Sequence, residues 1–272
     1  MDVRTITELW KPSKGSPGAG VEWWNGKAVH FSAMELPSAE NSLGMRIIQR
    51  ENMVWKGSSA LDVGCGGGRF SFALEEMGAE MTATDFSPKM IENARENGKS
   101  RDSNVCFSVD DWHEVDLKKK GWEHRFDLVL ANMTPAIVSA DTFIKLMEAS
   151  KNWVLMVKPT RRTNAILDEL NRLVGAEQDT KPLDETVAYA FDLAWMSGCC
   201  PRLEYEEQLW ESDMTLEEAV RDYTLRISSL HELGDDDKLK IRGYLESVAK
   251  DGIVHETTHT MVAAMYWQAA TA

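Results

Sequence analysis

The sequence predicts an α/β fold built on a mostly parallel, doubly wound sheet. Three observations predict it. The run Ser58-Ser59-Ala60-Leu61-Asp62-Val63 is short and apolar, as a buried parallel strand is. It breaks into Gly64-Cys65-Gly66-Gly67-Gly68, after which a helical pattern takes over. Two later strand-like runs end in acids, Asp85 and Asp110-Asp111. Strand and helix patterns then alternate to give five strand–helix units.

The bulk properties narrow the function. A chain of 272 residues holds one large α/β domain or a core with a small cap. A net charge of -14 argues against binding to a phosphate backbone, which takes clustered Lys and Arg. The one short basic run, Lys118-Lys119-Lys120, reads as a solvated loop. The opening MDVRTITELWKPSKG has no apolar leader core, and no stretch approaches the roughly 20 apolar residues of a membrane span. Cys65, Cys106, Cys199 and Cys200 have no metal-ligand spacing, so a reduced, cytoplasmic protein is expected. Fourteen Met and ten Trp supply candidates for an apolar pocket, and a small-molecule substrate is expected.

Taken in order, residues 1–20 end in Pro12, Gly15, Pro17, Gly18 and Gly20 and read as an arm or lid hinge. A helix is expected over 38–54, with Leu43, Ile47, Ile48 and Met53 near one face. Residues 1–54 thus form an N-terminal arm with covering helices, and 55–272 the main domain. Helix 68–78 leads to strand 80–85. Asp85 ends that strand beside the glycine turn, where a carboxylate can accept hydrogen bonds from two ribose hydroxyls. Ser87-Pro88 opens the next helix, with Ser as N-cap and Pro at its first position. Strands follow at 104–109, 126–132 and 153–157, the last ended by Lys158-Pro159, with a helix at 139–150. Helices are expected at 161–174 and 184–197, a strand at 202–210, acidic amphipathic helices at 215–233 and 235–250, and a final strand at 255–267.

The glycine turn discriminates between ligands. A dinucleotide fingerprint would place glycine where Arg69 stands, and no Lys-Ser or Lys-Thr follows to make a P-loop. The pattern present is acidic-x-Gly-x-Gly-x-Gly: Asp62, Gly64, Gly66, Gly68. With Thr84–Ser87, Asp110–Trp112 and Phe126–Pro135, it resembles the class I S-adenosylmethionine (SAM)-dependent methyltransferases. The resemblance covers residues 58–135; the flanks match no subfamily.

The resemblance implies a Rossmann-like sheet ending in an antiparallel hairpin, here interrupted by a helical insertion or cap at 211–252. It implies that Asp62, Gly64, Cys65, Gly66, Gly68, Asp85, Phe86, Ser87 and Met90 line the cofactor, with Phe86 and Met90 at the adenine. Asp111 would take the adenine amino group, with Asp110 as the alternative register and Trp112 beside the base. Asn132 would hold the SAM amino group. Met133 and Thr134 would border the substrate, and Trp24 and Phe31 would cover the site. The implied chemistry is direct SN2 methyl transfer to a small or medium, apolar or aromatic molecule, leaving S-adenosylhomocysteine (SAH). A protein or nucleic-acid methyltransferase and a non-catalytic SAM-binding protein are the alternatives. His30, His113 and Tyr189 are candidate bases, and no catalytic residue is assigned.

One motif is set aside. His255-Glu256-Thr257-Thr258-His259 matches the H-E-x-x-H zinc pattern. Its β-branched continuation, Thr260-Met261-Val262, predicts a strand, in which the two His lie about 13 Å apart.

Overall fold

The computed structural model describes residues 2–11, 17–176, 181–228 and 231–269, with side chains for all of these except 17–19, 29–33 and 181–184. Among them, seven strands form one sheet: β1 (Ser59–Val63), β2 (Glu80–Asp85), β3 (Cys106–Val109), β4 (Phe126–Asn132), β5 (Ser150–Thr163), β6 (Arg202–Thr215) and β7 (Ile253–Gln268). Their order is β3-β2-β1-β4-β5-β7-β6. The first five run parallel, while β7 is antiparallel to both β5 and β6. This is the expected mostly parallel sheet with its antiparallel hairpin.

The helices are α1 (Val3–Leu9), α2 (Pro17–Ala33), α3 (Leu43–Arg50), α4 (Arg69–Glu76), α5 (Pro88–Ser100), α6 (Leu117–Lys120), α7 (Ala140–Ala149), α8 (Ala165–Leu173), α9 (Lys181–Met196), α10 (Leu216–Ser228) and α11 (Asp235–Val248). The central strands are buried on both faces, so they read as continuous apolar runs. On β4 the two-residue period divides the core. Val129 and Ala131 pack with Ile6, Phe143, Leu146 and Leu193 of α1, α7 and α9. Leu128 and Leu130 pack with Ile47, Ile48 and Leu74 of α3 and α4. A third cluster, of Leu170, Tyr223, Ile241 and Leu245 with Val254 of β7, gives α8, α10 and α11 a core of their own.

Several boundaries differ from the sequence-based expectation, each for a physical reason. Residues 3–11 are not a loose arm: Asp2 caps α1 by accepting from the Thr5 N–H (2.8 Å), and Ile6 and Trp10 are buried. The remaining arm residues 12–16 lie outside the described set. The helix expected over 38–54 is only Leu43–Arg50, because Ser42 caps it and Asn52 takes a positive φ.

Lys158-Pro159 does not end β5. The last β4 pair is Asn132↔Val157, so beyond it β5 is an edge toward β4, where proline is tolerated, and it continues to Thr163 against β7. The expected helix at 161–174 therefore starts later, at Ala165. The final hairpin pairs as far out as Thr215↔Ile253, so the insertion is 216–252 rather than 211–252. His255–His259 lies in β7, as the β-branched run predicts.

Candidate active site

The site is built at the C-terminal ends of β1, β2, β3 and β4. There β1 leaves the sheet through three glycines with positive φ: Gly64 (71°), Gly66 (54°) and Gly68 (83°). They are glycine for two different reasons. A Cβ on Gly64 would overlap the Thr134 hydroxyl, and one on Gly68 would come within 2.8 Å of the Phe107 ring, so these two serve close packing. A Cβ on Gly66 would meet only the Met90 sulfur, at 3.9 Å. Gly66 therefore faces space that the protein leaves open, and this is the feature of the turn that fits a ligand.

Asp85 organises the turn from β2. Its carboxylate accepts the Gly66 N–H (2.9 Å) through one oxygen and the Ser87 N–H (2.8 Å) through the other. The Thr84 carbonyl accepts from Gly64 (2.7 Å) and Cys65 (3.0 Å). Burial raises the Asp85 pKa above the ordinary carboxylate range, against the pull of the two N–H donors. Asp62 lies deeper. It accepts the Ser71 hydroxyl (2.8 Å), and burial pushes its carboxyl up to about 7; that hydrogen bond opposes the rise and the Asp85 charge adds to it. Ser87 caps α5 and donates its hydroxyl to the Asn25 side-chain oxygen of α2 (2.6 Å). Arg69 donates to the Glu35 carbonyl (2.6 Å), tying α4 to the segment before α3.

At the end of β3 the two acids separate in role. Asp110 is held by Lys120 (2.7 and 2.8 Å) and the Thr84 hydroxyl (3.3 Å). Asp111 is exposed and accepts only the His113 N–H (3.0 Å) by its side chain. Of the two registers, Asp111 is the carboxylate left open. The Trp112 indole is buried in the core, with its N–H donating to the Thr142 carbonyl (2.9 Å). The expectation that it lies beside the base thus meets an indole fixed elsewhere, and its backbone N–H is the group left at the strand end.

At the end of β4, Asn132 and Met133 are half-buried, Thr134 is buried, and Met133 takes a positive φ of 53°. Phe86 is half-buried and Met90 fully buried beside Gly66. Trp24 sits on α2 edge-to-face with Trp23 (4.6 Å). α2 packs on α5 and α10, and Lys27 is ion-paired with Asp222 of α10. The side chains of Phe31 and His30 lie outside the described residues. Of the other candidate bases, His113 is exposed and Tyr189 stacks on Trp10 at 6.0 Å against the core.

Sequence reasoning missed two basic residues here. Lys158 is buried, with its ammonium donating to the Thr134 carbonyl (2.8 Å), and burial lowers its pKa to about 8. Arg162 is stacked on Trp210 at 4.8 Å. The signal was the basic run Lys158-Pro-Thr-Arg161-Arg162 directly after a strand, at the end of the sheet where ligands bind in this class of fold.

Residues 55–178 match the family model described as a methyltransferase domain. Over 108 residues the chain is 31% identical to a ubiquinone biosynthesis O-methyltransferase of Coxiella burnetii, covering 40% of this chain and 42% of that protein. A protein of the same name in Xanthomonas oryzae pv. oryzae is 34% identical over 65 residues, 24% of this chain and 27% of the relative. The chain thus spans less than half the length of these curated relatives. Two solved structures share the fold at a TM-score of 0.50. One is phosphoethanolamine N-methyltransferase 2 of Haemonchus contortus in complex with S-adenosyl-L-methionine, 16% identical, covering 99% of this chain and 60% of that one. The other is the YcgJ protein of Bacillus subtilis, 15% identical, covering 84% and 98%. No helix among the described residues is long and apolar enough to cross a membrane. The segment matched by the family model contains the glycine turn and the acids at the ends of β2 and β3.

Proposed function

We propose that the protein transfers a methyl group from SAM to a small or medium, apolar or aromatic acceptor, releasing SAH. The observation that carries this reading is the Asp85–Gly66 pair: a buried carboxylate orienting a positive-φ glycine whose missing side chain opens onto free space. When bound, SAM supplies an already activated methyl group on a sulfonium, so the chain's task is placement and exclusion of water. Asp85 retains acceptor capacity for the ribose hydroxyls beyond its two backbone donors. Asp111 serves the adenine amino group, with the Trp112 N–H next to it. Phe86 and Met90 flank the base, and Asn132 meets the amino group of the methionine moiety. Asp62, Cys65, Gly64, Gly68 and Ser87 shape the turn, and Met133, Thr134 and Trp24 border the acceptor. α2, tied down through Asn25 and Lys27, covers the site. The names of the curated relatives, O-methyltransferases, favour an oxygen as the atom methylated.

Calorimetry with SAM, SAH and NAD tests the reading, and binding of NAD without SAM overturns it. Asp85→Ala weakens SAM binding by about 1–3 kcal/mol, roughly 5- to 150-fold. Unchanged affinity in a folded variant refutes the ribose assignment.

A further inference from the structure

Arg162 is the feature of the described residues that the cofactor site leaves unexplained. It follows the irregularity in β5 pairing between Thr160 and Thr163, where Arg161 takes a positive φ of 46°. Such an extra residue re-aims the side chain that follows it. The Arg162 guanidinium lies over the Trp210 ring at 4.8 Å. Its Nε is buried with no hydrogen-bond partner, and no carboxylate stands within ion-pair distance of it among the described residues. Guanidinium groups in such settings are ordinarily paired, because a buried donor without an acceptor is costly.

The surroundings sharpen the sign of what is missing. Glu256 is the acid closest in influence, but it is engaged by the Tyr223 hydroxyl and by Arg226 (3.5 Å). Glu256 thus serves Tyr223 and Arg226 directly, while Arg162 feels it only at longer range. Besides burial, repulsion from Arg226 lowers the Arg162 pKa, to about 10, which an arriving anion would relieve. Arg162 stands four residues beyond Lys158 on β5, about 13 Å along the strand. Trp210 packs against the same core cluster as Met133, the residue that follows β4, and that cluster includes Val157 and Val262.

We propose that Arg162, stacked on Trp210, seats a single oxyanion, a carboxylate or phosphate group, carried by the methyl acceptor. The pair reads a planar anion with the guanidinium fork, and the aromatic face holds the fork in plane. The acceptor is then a molecule of aromatic or apolar body with its anion set roughly one small-molecule length from the methylated atom. This rests on the methyltransferase reading of the same site.

The test is calorimetry on the full chain saturated with SAH, using benzoate, phenyl phosphate and neutral benzamide as probes. Benzoate or phenyl phosphate is expected to bind, benzamide is not, and the stronger of the two anions identifies which group the site takes. Arg162→Gln is expected to lose about tenfold or more in anion affinity while keeping its SAH affinity. Arg162→Lys keeps the charge but lacks the fork, and is expected to lose benzoate more than phenyl phosphate. Three results overturn the proposal: no anion binding by the unmodified protein up to about 10 mM, equal binding of benzamide, or undiminished benzoate affinity in Arg162→Lys. SAH binding is read separately in the same samples, so failure of the cofactor reading is distinguished from failure of the anion seat.

Discussion

At the residue scale, the three turn glycines make separable claims. Gly64→Ala and Gly66→Ala carry a similar backbone penalty, on the order of 1 kcal/mol, because both positions have positive φ. Only Gly64→Ala adds the overlap with Thr134. Gly64→Ala is therefore expected to lower unfolding stability by about 1–3 kcal/mol more than Gly66→Ala, while Gly66→Ala loses SAM affinity out of proportion to its stability. Equal stability losses in denaturant melts would contradict this. Lys158 gives a pH signature. Its folded-state pKa is about 8, below the 10.5 of a free lysine, so between those values the folded chain has shed a proton that the unfolded chain still holds. Stability should rise with pH across that window by at most about 3 kcal/mol relative to Lys158→Met. A parallel pH profile for the variant would remove the claim. Asp62 acts in the opposite sense: its carboxyl stays protonated to about 7, so its contribution declines as pH rises from about 4 to 7. The glycines and Asp85 were legible in the sequence because backbone freedom and strand-end acids leave a local pattern. Lys158 and Arg162 were not, because their meaning depends on which strand β5 lies beside after it leaves β4.

At the scale of elements, the parallel strands and the helices between them were readable from hydrophobic period and caps. Ser87-Pro88 marks α5 at its first residue, and β2 occupies the expected 80–85. The misjudged elements are those whose ends are set by neighbours. β5 runs past Pro159 because β7 pairs with it there, and β6 extends through Glu211-Ser212-Asp213, a polar stretch with no strand signal, because β7 lies opposite. The insertion follows a different rule, since α10 and α11 share with α8 a core apart from the three clusters on the parallel strands. Leu245→Ala, at a fully buried position of that core, is expected to cost about 2–5 kcal/mol. Because that core is separate, the loss should appear as faster amide exchange over α8, α10 and α11, with β1 and β4 amides unchanged. Uniformly faster exchange throughout the chain would show instead that cap and sheet unfold as one.

At the scale of the whole molecule, ligand binding and folding are coupled through the turn, whose conformation is held by bonds between β1 and β2. SAH at a hundredfold its dissociation constant should stabilise the fold by about 2.7 kcal/mol, raising the melting temperature by roughly 5–10 °C for a chain of this size. An unmoved transition at saturating SAH would refute the cofactor. The acidic net charge and the doubly wound sheet were both evident from composition and pattern. The packing of α2 on α10, and of α8 on α10 and α11, was not, because it joins segments distant in sequence.

The hairpin of β6 and β7 has a last consequence. Residues 216–252 leave and rejoin the sheet through a directly paired couple, Thr215 and Ile253, whose α-carbons sit about 5 Å apart. A segment entered and left at one point is a cassette: it can be lengthened, shortened or exchanged without altering the register of any parallel strand. It is not a free-standing one, because a two-residue turn in its place would uncover Leu170 of α8 and Val254 of β7 and take away the α10 face on which α2 packs.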